Sequence, residues 1–311
     1  MKTQSIILEN QDWIKGKLYY QGVKTMFNFI SSNAELEEYT QWKKDFINIH
    51  GFLDTQRKLD INKLEGDYRV KLINEDAVFQ LLFCLETYYS IVLRCIGYKA
   101  VFADKHYTIE LFDKDYFQSK GITNYNCKED FNWFLKIPNF SVSLIDLFAS
   151  IDLNVCLGAT DFIKEIFESI FPTQVRHSMG EFYTPDWLAN FVIETVTKGD
   201  VDAPFKTYID PSCGSGTFIF NLIQKYRKIS KNEIYKNVYG IDINPLSVLA
   251  CKTNYIVLYS IDHKFDSANK LEIPIFYADA IAANSHSSEL FNDYEDDYEK
   301  IEIEKVDYIV G

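Results

Sequence analysis

One eleven-residue run constrains this chain more than any other: Tyr208-Ile209-Asp210-Pro211-Ser212-Cys213-Gly214-Ser215-Gly216-Thr217-Phe218. It reads as a strand over 207–209, a glycine turn, and a helix over 218–228. Gly214 and Gly216 let the backbone pass close to a ligand, and the helix start behind them favours an anionic group. Such a unit needs further parallel strands to pair with, and the sequence supplies them. Strands are predicted over 238–241, 273–277 and 306–310, with a helix over 245–259 between the first two. This β-α-β-α-β order predicts a doubly wound parallel sheet, whose ligands sit at the carboxyl ends of the strands. Upstream, Thr184-Pro185 opens a helix with Leu188, Phe191, Val192, Thr195 and Val196 as its inner face and Gly199 at its end.

The pattern changes at Pro172. Before it, helical signals dominate. Ser32 followed by Glu35 reads as a capping box ahead of Leu36, Tyr39, Lys43, Phe46 and Ile47. Asn74 is placed to cap a long helix running to Gly97. Thr160 is placed to cap another, with Phe162, Ile163, Ile166, Phe167 and Ile170 on one side. Residues 98–140 look mixed, with a short strand over 107–112. Two domains are expected: a mainly helical one over 1–172 and an α/β one over 173–311, sizes that can each bury a core.

Charge and cysteine use bound the function. The formal net charge is −13, and the stretch 293–304 (DYEDDYEKIEIE) holds much of the excess. Phosphate neutralisation supplies most of the affinity of a nucleic-acid binder, so this balance argues against DNA binding by the chain alone. The acidic stretch is expected to be a solvated insertion. The six cysteines form no CxxC pair and no Cys/His cluster has zinc spacing, so neither a metal site nor a disulfide framework is expected. The longest apolar run, 78–96, keeps Glu86 and Arg94, which a membrane span would rarely do. A buried helix in a cytoplasmic protein is the expectation.

Two familiar glycine loops fit the run at 208–218 poorly. A nicotinamide-binding loop needs a third glycine where Ile219 stands, and a P-loop needs a lysine where Thr217 stands. The segment Asp210-Pro211-Ser212-Cys213-Gly214-Ser215-Gly216-Thr217-Phe218 instead resembles motif I of S-adenosylmethionine-dependent methyltransferases, in the spelling of adenine-N6 DNA methyltransferases of restriction-modification systems. In that family the glycine loop wraps the methionine part of the cofactor. Three further segments follow the resemblance. Gly180-Glu181-Phe182-Tyr183-Thr184-Pro185 looks like motif X of the subclass that carries it ahead of motif I. Val238-Tyr239-Gly240-Ile241-Asp242-Ile243-Asn244-Pro245 places Asp242 where an acid takes the ribose hydroxyls. Phe276-Tyr277-Ala278-Asp279-Ala280 resembles motif III, whose acid accepts from the adenine amino group. A plainer reading exists for each: a tight turn at Gly214 and Gly216, and helix capping by Asp242 or Thr184.

The resemblance implies a Rossmann-like methyltransferase core, with an incomplete parallel sheet, preceded by a helical domain. The cofactor contacts it implies are Phe182, Tyr183, Thr184, Pro185, Asp210, Ser212, Gly214, Gly216, Asp242, Ile243, Asp279 and Ala280. It implies S-adenosylmethionine as cofactor, no metal, and a target adenine flipped out of double-stranded DNA. The strand ending in Asp307-Tyr308-Ile309-Val310-Gly311 leads in this family into Asn-Pro-Pro-aromatic, the catalytic motif; no Asn-Pro-Pro run occurs in these 311 residues. The chain is therefore expected to be a cofactor-binding fragment. Its DNA would be read by a target-recognition region beyond the end, and a restriction subunit or fused nuclease would be its partner. Its open sheet edge is expected to lower solubility. No nuclease arrangement is evident; the segment 110–114 is too loose for one. The same motif I spelling occurs in RNA guanine-N2 methyltransferases, and a non-catalytic relic or partner subunit is a third reading.

Overall fold

A computed structural model describes residues 11–50, 59–102, 106–125, 129–153, 162–179, 183–231, 233–265, 270–281, 303 and 305–311. The chain forms two compact units, Met1–Tyr116 with Cys127–Phe182, and Phe117–Asn126 with Tyr183–Gly311. The pattern change at Pro172 and the structural division after Phe182 thus differ by ten residues. A short segment from the middle of the helical region belongs to the second unit.

The first unit is helical, as its sequence suggests. Its helices are α1 (Lys17–Ser32), α2 (Glu37–His50), α3 (Ile61–Tyr68), α4 (Glu75–Val101), α5 (Phe140–Ser150), α6 (Phe162–Ile170) and α7 (Thr173–Met179). Asn74 caps α4 as expected, its side chain accepting the Ala77 N–H at 2.8 Å. α4 is apolar on every side and nearly all of it is buried, the signature of a central core helix. It is long and apolar enough to cross a membrane, yet 94 % of its apolar window is covered by the fold. From α4, Phe83 meets Trp42 in a tilted pair and Trp133 in a stacked one, with 5.0 Å between ring centroids in each. The charges on α4 are matched internally. Trp42 Nε1 donates to Glu86 at 2.7 Å, Arg94 donates to Asn132, and Lys99 donates to the carbonyls of Phe148 and Ile151. Phe162, Ile163, Ile166, Phe167 and Ile170 are buried together on α6.

Several local expectations fail in this unit. Ser32 is the last residue of α1, where its hydroxyl donates back to Asn28 O; it does not open α2. Gly97 does not end α4, because Tyr98 and Val101 are still core residues and hold the helix for another turn. The expected strand over 107–112 is a 3-10 turn, Ile109–Phe112, capped by Thr108. Thr160 and, apart from Ile303, the acidic stretch 293–304 lie outside the described residues.

The second unit carries helices α8 (Asp186–Val196), α9 (Thr217–Ser230) and α10 (Pro245–Asp262). Its strands are β1 (Ile122–Thr123), β2 (Tyr208–Asp210), β3 (Val238–Asp242), β4 (Leu271–Glu272), β5 (Ile275–Tyr277) and β6 (Tyr308–Ile309). Four of them form a parallel sheet in the order β5-β3-β2-β6, and β1 pairs with β4 in a two-stranded parallel bridge. The α/β doubly wound reading of 173–311 is what the sheet has. The chain runs outward from β2 through α9 to β3 and through α10 to β5, then returns to place β6 on the other side of β2. The winding therefore reverses between β2 and β6, at the crevice where such sheets take ligands. β6 is an edge of the described sheet, with Ile309 72 % exposed.

α9 buries Phe218, Ile219, Leu222, Ile223 and Tyr226 along one stripe, each contributing about 1.5–3 kcal/mol as an upper bound. α8 differs from expectation. Its buried residues are Ala189 and Ile193, while Phe191 is 61 % exposed and Val196 40 %. Thr195 also faces outward. A small residue at 189 permits the close approach of α9, and Asn190 donates across to Asn221 at 2.8 Å.

Candidate cofactor site

The register of the sheet assembles the site. Asp210 pairs with Gly240, Gly240 with Ile275, and Asp242 with Tyr277, all parallel. The carboxyl ends of β2, β3 and β5 therefore share one rim, and Asp210, Asp242 and Asp279 lie at or just past those ends. β6 joins the rim from the other side. A side chain added at Gly311 would stand 3.2 Å from Asp210 Oδ1.

The glycine turn is built by backbone geometry that other residues resist. Gly214 has φ +53 and Gly216 φ +92. At Gly216 a Cβ would also lie 2.5 Å from Cys251 Sγ on α10, so space and conformation both demand glycine there. The turn is pinned to β3: Cys213 N–H donates to Ile241 O at 2.9 Å, and Gly214 N–H donates to Asp242 Oδ2 at 2.8 Å. Gly216 N–H closes the turn onto Cys213 O at 2.8 Å. The Ser215 hydroxyl, inside the turn and 1 % exposed, has no hydrogen-bond partner among the described residues.

Asp242 is more than a helix cap. Its Oδ1 accepts Asn244 N–H at 2.8 Å while Oδ2 holds Gly214 N–H, and Asn244 itself caps α10 through the N–H groups of Leu246 and Ser247. The backbone continues the link, with Ala278 N–H donating to Asp242 O at 3.1 Å. Beyond it, Asp279 Oδ1 accepts Ile281 N–H at 2.8 Å. Asp210 Oδ1 accepts Ser212 N–H at 3.1 Å. Burial pushes the Asp210 carboxyl up to about 7, aided by the nearby charge of Asp242 and opposed by the Ser212 N–H. Asp242 is also raised by burial, against the pull of the N–H groups of Asn244, Gly214 and Ile243. Two carboxylates held above their ordinary range in one crevice are a recurrent mark of functional sites.

The remaining expected contacts are placed as follows. Ser212 and Ile243 are exposed beside the turn, and Ala280 is half-buried after β5. Pro185 takes the cap position of α8, so Thr184 stands one residue further out than a capping role requires, and Tyr183 and Thr184 are half-buried. Asn190 and Asn221 sit in the second turns of α8 and α9, which brings the start of α8 beside the start of α9. Phe182 lies outside the described residues, as do Gly180 and Glu181. Two cavities, of 1100 Å³ and 690 Å³, belong to the helical unit and not to this rim. Among the described residues no group of three or more His, Cys, Asp or Glu could hold a metal ion.

Sequence reasoning missed three supports of the turn. Gly240 leaves room on β3 for Ile219 and Cys213, since a Cβ there would meet Ile219 Cδ1 at 2.6 Å and Cys213 Sγ at 3.0 Å. Asn254 donates to Ser215 O at 3.4 Å from inside α10. Asn221 bridges α9 to α8. Two buried asparagines in otherwise apolar helical stripes were the available signal.

Residues 159–308 match the N-6 DNA Methylase family. A 112-residue stretch is 28 % identical to the "Type I restriction enzyme MjaIX methylase subunit" of Methanocaldococcus jannaschii, covering 33 % of this chain and 19 % of that protein. The structure titled "cryoEM structure DrdV-DNA complex" aligns over 91 % of this chain and 26 % of its own, at a TM-score of 0.44 and 14 % identity. The chain thus spans about a fifth of the length of the curated relative and a quarter of the solved chain. Fold and rim define the class, a parallel α/β domain with a glycine-turn site at its switch point. Within that class, the match over residues 159–308 and the similarity to a restriction methylase subunit support an N6-adenine DNA methyltransferase of restriction-modification type.

Proposed function

We propose that this chain binds S-adenosylmethionine at the rim and serves a restriction-modification enzyme that methylates N6 of adenine in DNA. The observation that carries the reading is the gathering of Asp210, the Gly214/Gly216 turn, Asp242 and Asp279 along one edge of a single parallel sheet.

The residues fit such a cofactor. The turn is open at Gly214, where an added Cβ would meet nothing within 4 Å, while Gly216 seats it closely against Cys251 of α10. Each carboxylate oxygen has more than one acceptor position, so Asp242 can take ribose hydroxyls while still holding the N–H groups of Gly214 and Asn244. Asp279 would accept from the adenine amino group, and Ile243 and Ala280 would lie beside the base. The ionised Asp210 would attract the methionine ammonium, with Ser212, Tyr183, Thr184 and Pro185 near that end. When bound, S-adenosylmethionine supplies a methyl group made electrophilic by its sulfonium charge. The chain's own task is to hold that methyl at the switch point, so catalysis is mainly positioning.

The target adenine would be flipped from the duplex and held by an Asn-Pro-Pro-aromatic motif that these residues do not contain. DNA, a restriction subunit and a cytoplasmic setting follow from the kinship with a restriction methylase subunit. Isothermal titration with S-adenosylmethionine tests the reading. We expect binding without methyl transfer by this chain alone, and a ~100-fold weaker Kd for Asp242→Ala from losing two charge-assisted bonds that organise the turn and the ribose contacts. Equal heats from both proteins would remove Asp242 from the site.

A further inference from the structure

The segment Phe117–Asn126 leaves the helical unit's sequence and folds into the cofactor unit. Its anchors are apolar: Phe117 is 3 % exposed, Ile122 0 % and Tyr125 1 %. Its backbone pairs β1 with β4 in register, Ile122 with Leu271 and Thr123 with Glu272, through Leu271 N–H to Gly121 O at 2.9 Å and Ile273 N–H to Thr123 O at 3.3 Å. The next residue, Asn124, does something backbone pairing cannot. It sits at φ +61, a left-handed conformation that asparagine tolerates better than most residues, and this turns its amide onto the chain leading into β5. Asn124 Nδ2 donates to Ile273 O at 2.8 Å and to Ile275 O at 2.7 Å, while Asn124 Oδ1 accepts from Lys252 Nζ at 2.8 Å. Lys252 lies on α10 and is 1 % exposed, and its neighbour Thr253 meets the Tyr125 hydroxyl at 3.0 Å. One amide therefore ties together the strap, the start of β5 and the helix behind it.

β5 is three residues long, and Asp279 follows two residues after it. So short a strand is held on one side by β3, and the hydrogen bonds from Asn124 fix where it begins. We propose that Asn124 is a positioning residue that sets the placement of β5 and thereby of Asp279 at the adenine end of the cofactor site. This rests on the reading of Asp279 as the adenine contact. The consequence is that a segment whose two flanks belong to the helical unit bears most directly on the adenine end of the site, while the hydrogen bonds of the glycine turn to Ile241 O and Asp242 do not involve it.

A double-mutant cycle on the whole 311-residue chain tests this, with S-adenosylmethionine binding read by isothermal titration. Asn124→Gly keeps the left-handed backbone and removes three hydrogen bonds. It is expected to weaken binding ~10-fold alone, ~10-fold again in the Asp242→Ala background, and less than about 2-fold in the Asp279→Ala background. A general loosening of the fold would weaken all three backgrounds equally, and that result overturns the inference, as does an unchanged Kd for Asn124→Gly. Should Asn124→Gly not fold, Asn124→Asp keeps the acceptor for Lys252, gives up both donations, and carries the same cycle. Absence of binding by the parent chain sinks the cofactor reading itself, and the inference with it; binding by the parent with a flat cycle sinks only the inference.

Discussion

Both units bury charged side chains, and they do so in opposite ways. Around α4, Glu86, Arg94 and Lys99 meet fixed partners: an indole N–H, an amide oxygen and two helix-end carbonyls. At the sheet rim, Asp210 and Asp242 accept from backbone N–H groups, and burial pushes both towards the neutral form, Asp210 further so through the charge of Asp242. Fully matched charge in a core specifies packing. Buried carboxylates gathered at a switch point, beside the glycine turn, would on the proposed reading leave acceptors for a ligand that brings hydroxyls and a positive charge. On the proposed reading, the difference separates buried polar groups that hold packing from those left to meet a ligand.

The comparison can be broken at either end. The largest effect is expected for Gly216→Ala, where a Cβ must displace Cys251 and adopt φ +92; binding of S-adenosylmethionine should fall by ~100-fold or more and stability by about 2–4 kcal/mol, read by titration and urea unfolding. Lys99→Met should lower stability by about 1–3 kcal/mol by leaving the Phe148 and Ile151 carbonyls without their donor, while Kd measured well below the melting temperature stays unchanged. A Kd that moves with Lys99 would erase the distinction between the units. A third effect is a pH dependence. Asp210 binds its proton more tightly folded than unfolded, so its contribution to stability falls as pH rises from the ordinary carboxylate value of 3.8 to about 7 and is flat above. Asp210→Asn should remove that slope and be more stable than the parent at alkaline pH, by urea midpoints across the range. Affinity for the cofactor should rise over the same window in the parent alone.

The rim was legible because its signals are local. Strand, Asp-Pro, two glycines and a helix start occupy one short run, and Asn244 and Asn74 cap the helices their neighbours begin. The errors arise where one local pattern serves two structures. Ser32 satisfies the rule for opening a helix and also closes one by donating to Asn28 O. On α8 the bulky residues Phe191 and Val196 suggested an inner face, but close packing on α9 selects the small Ala189. The strap at 117–126 had no legible signal at all. Its two-residue strand pairs with a partner about 150 positions away, and only the folded chain brings Asn124 to β5.

Hydrogen exchange of the chain with and without S-adenosylmethionine tests the central claim most directly. Added cofactor should slow exchange at the amides of 212–217, 242–244 and 278–281 and leave α4 and the two cavities of the helical unit as they were. Protection confined to those cavities, or none at all at saturating cofactor, would contradict it.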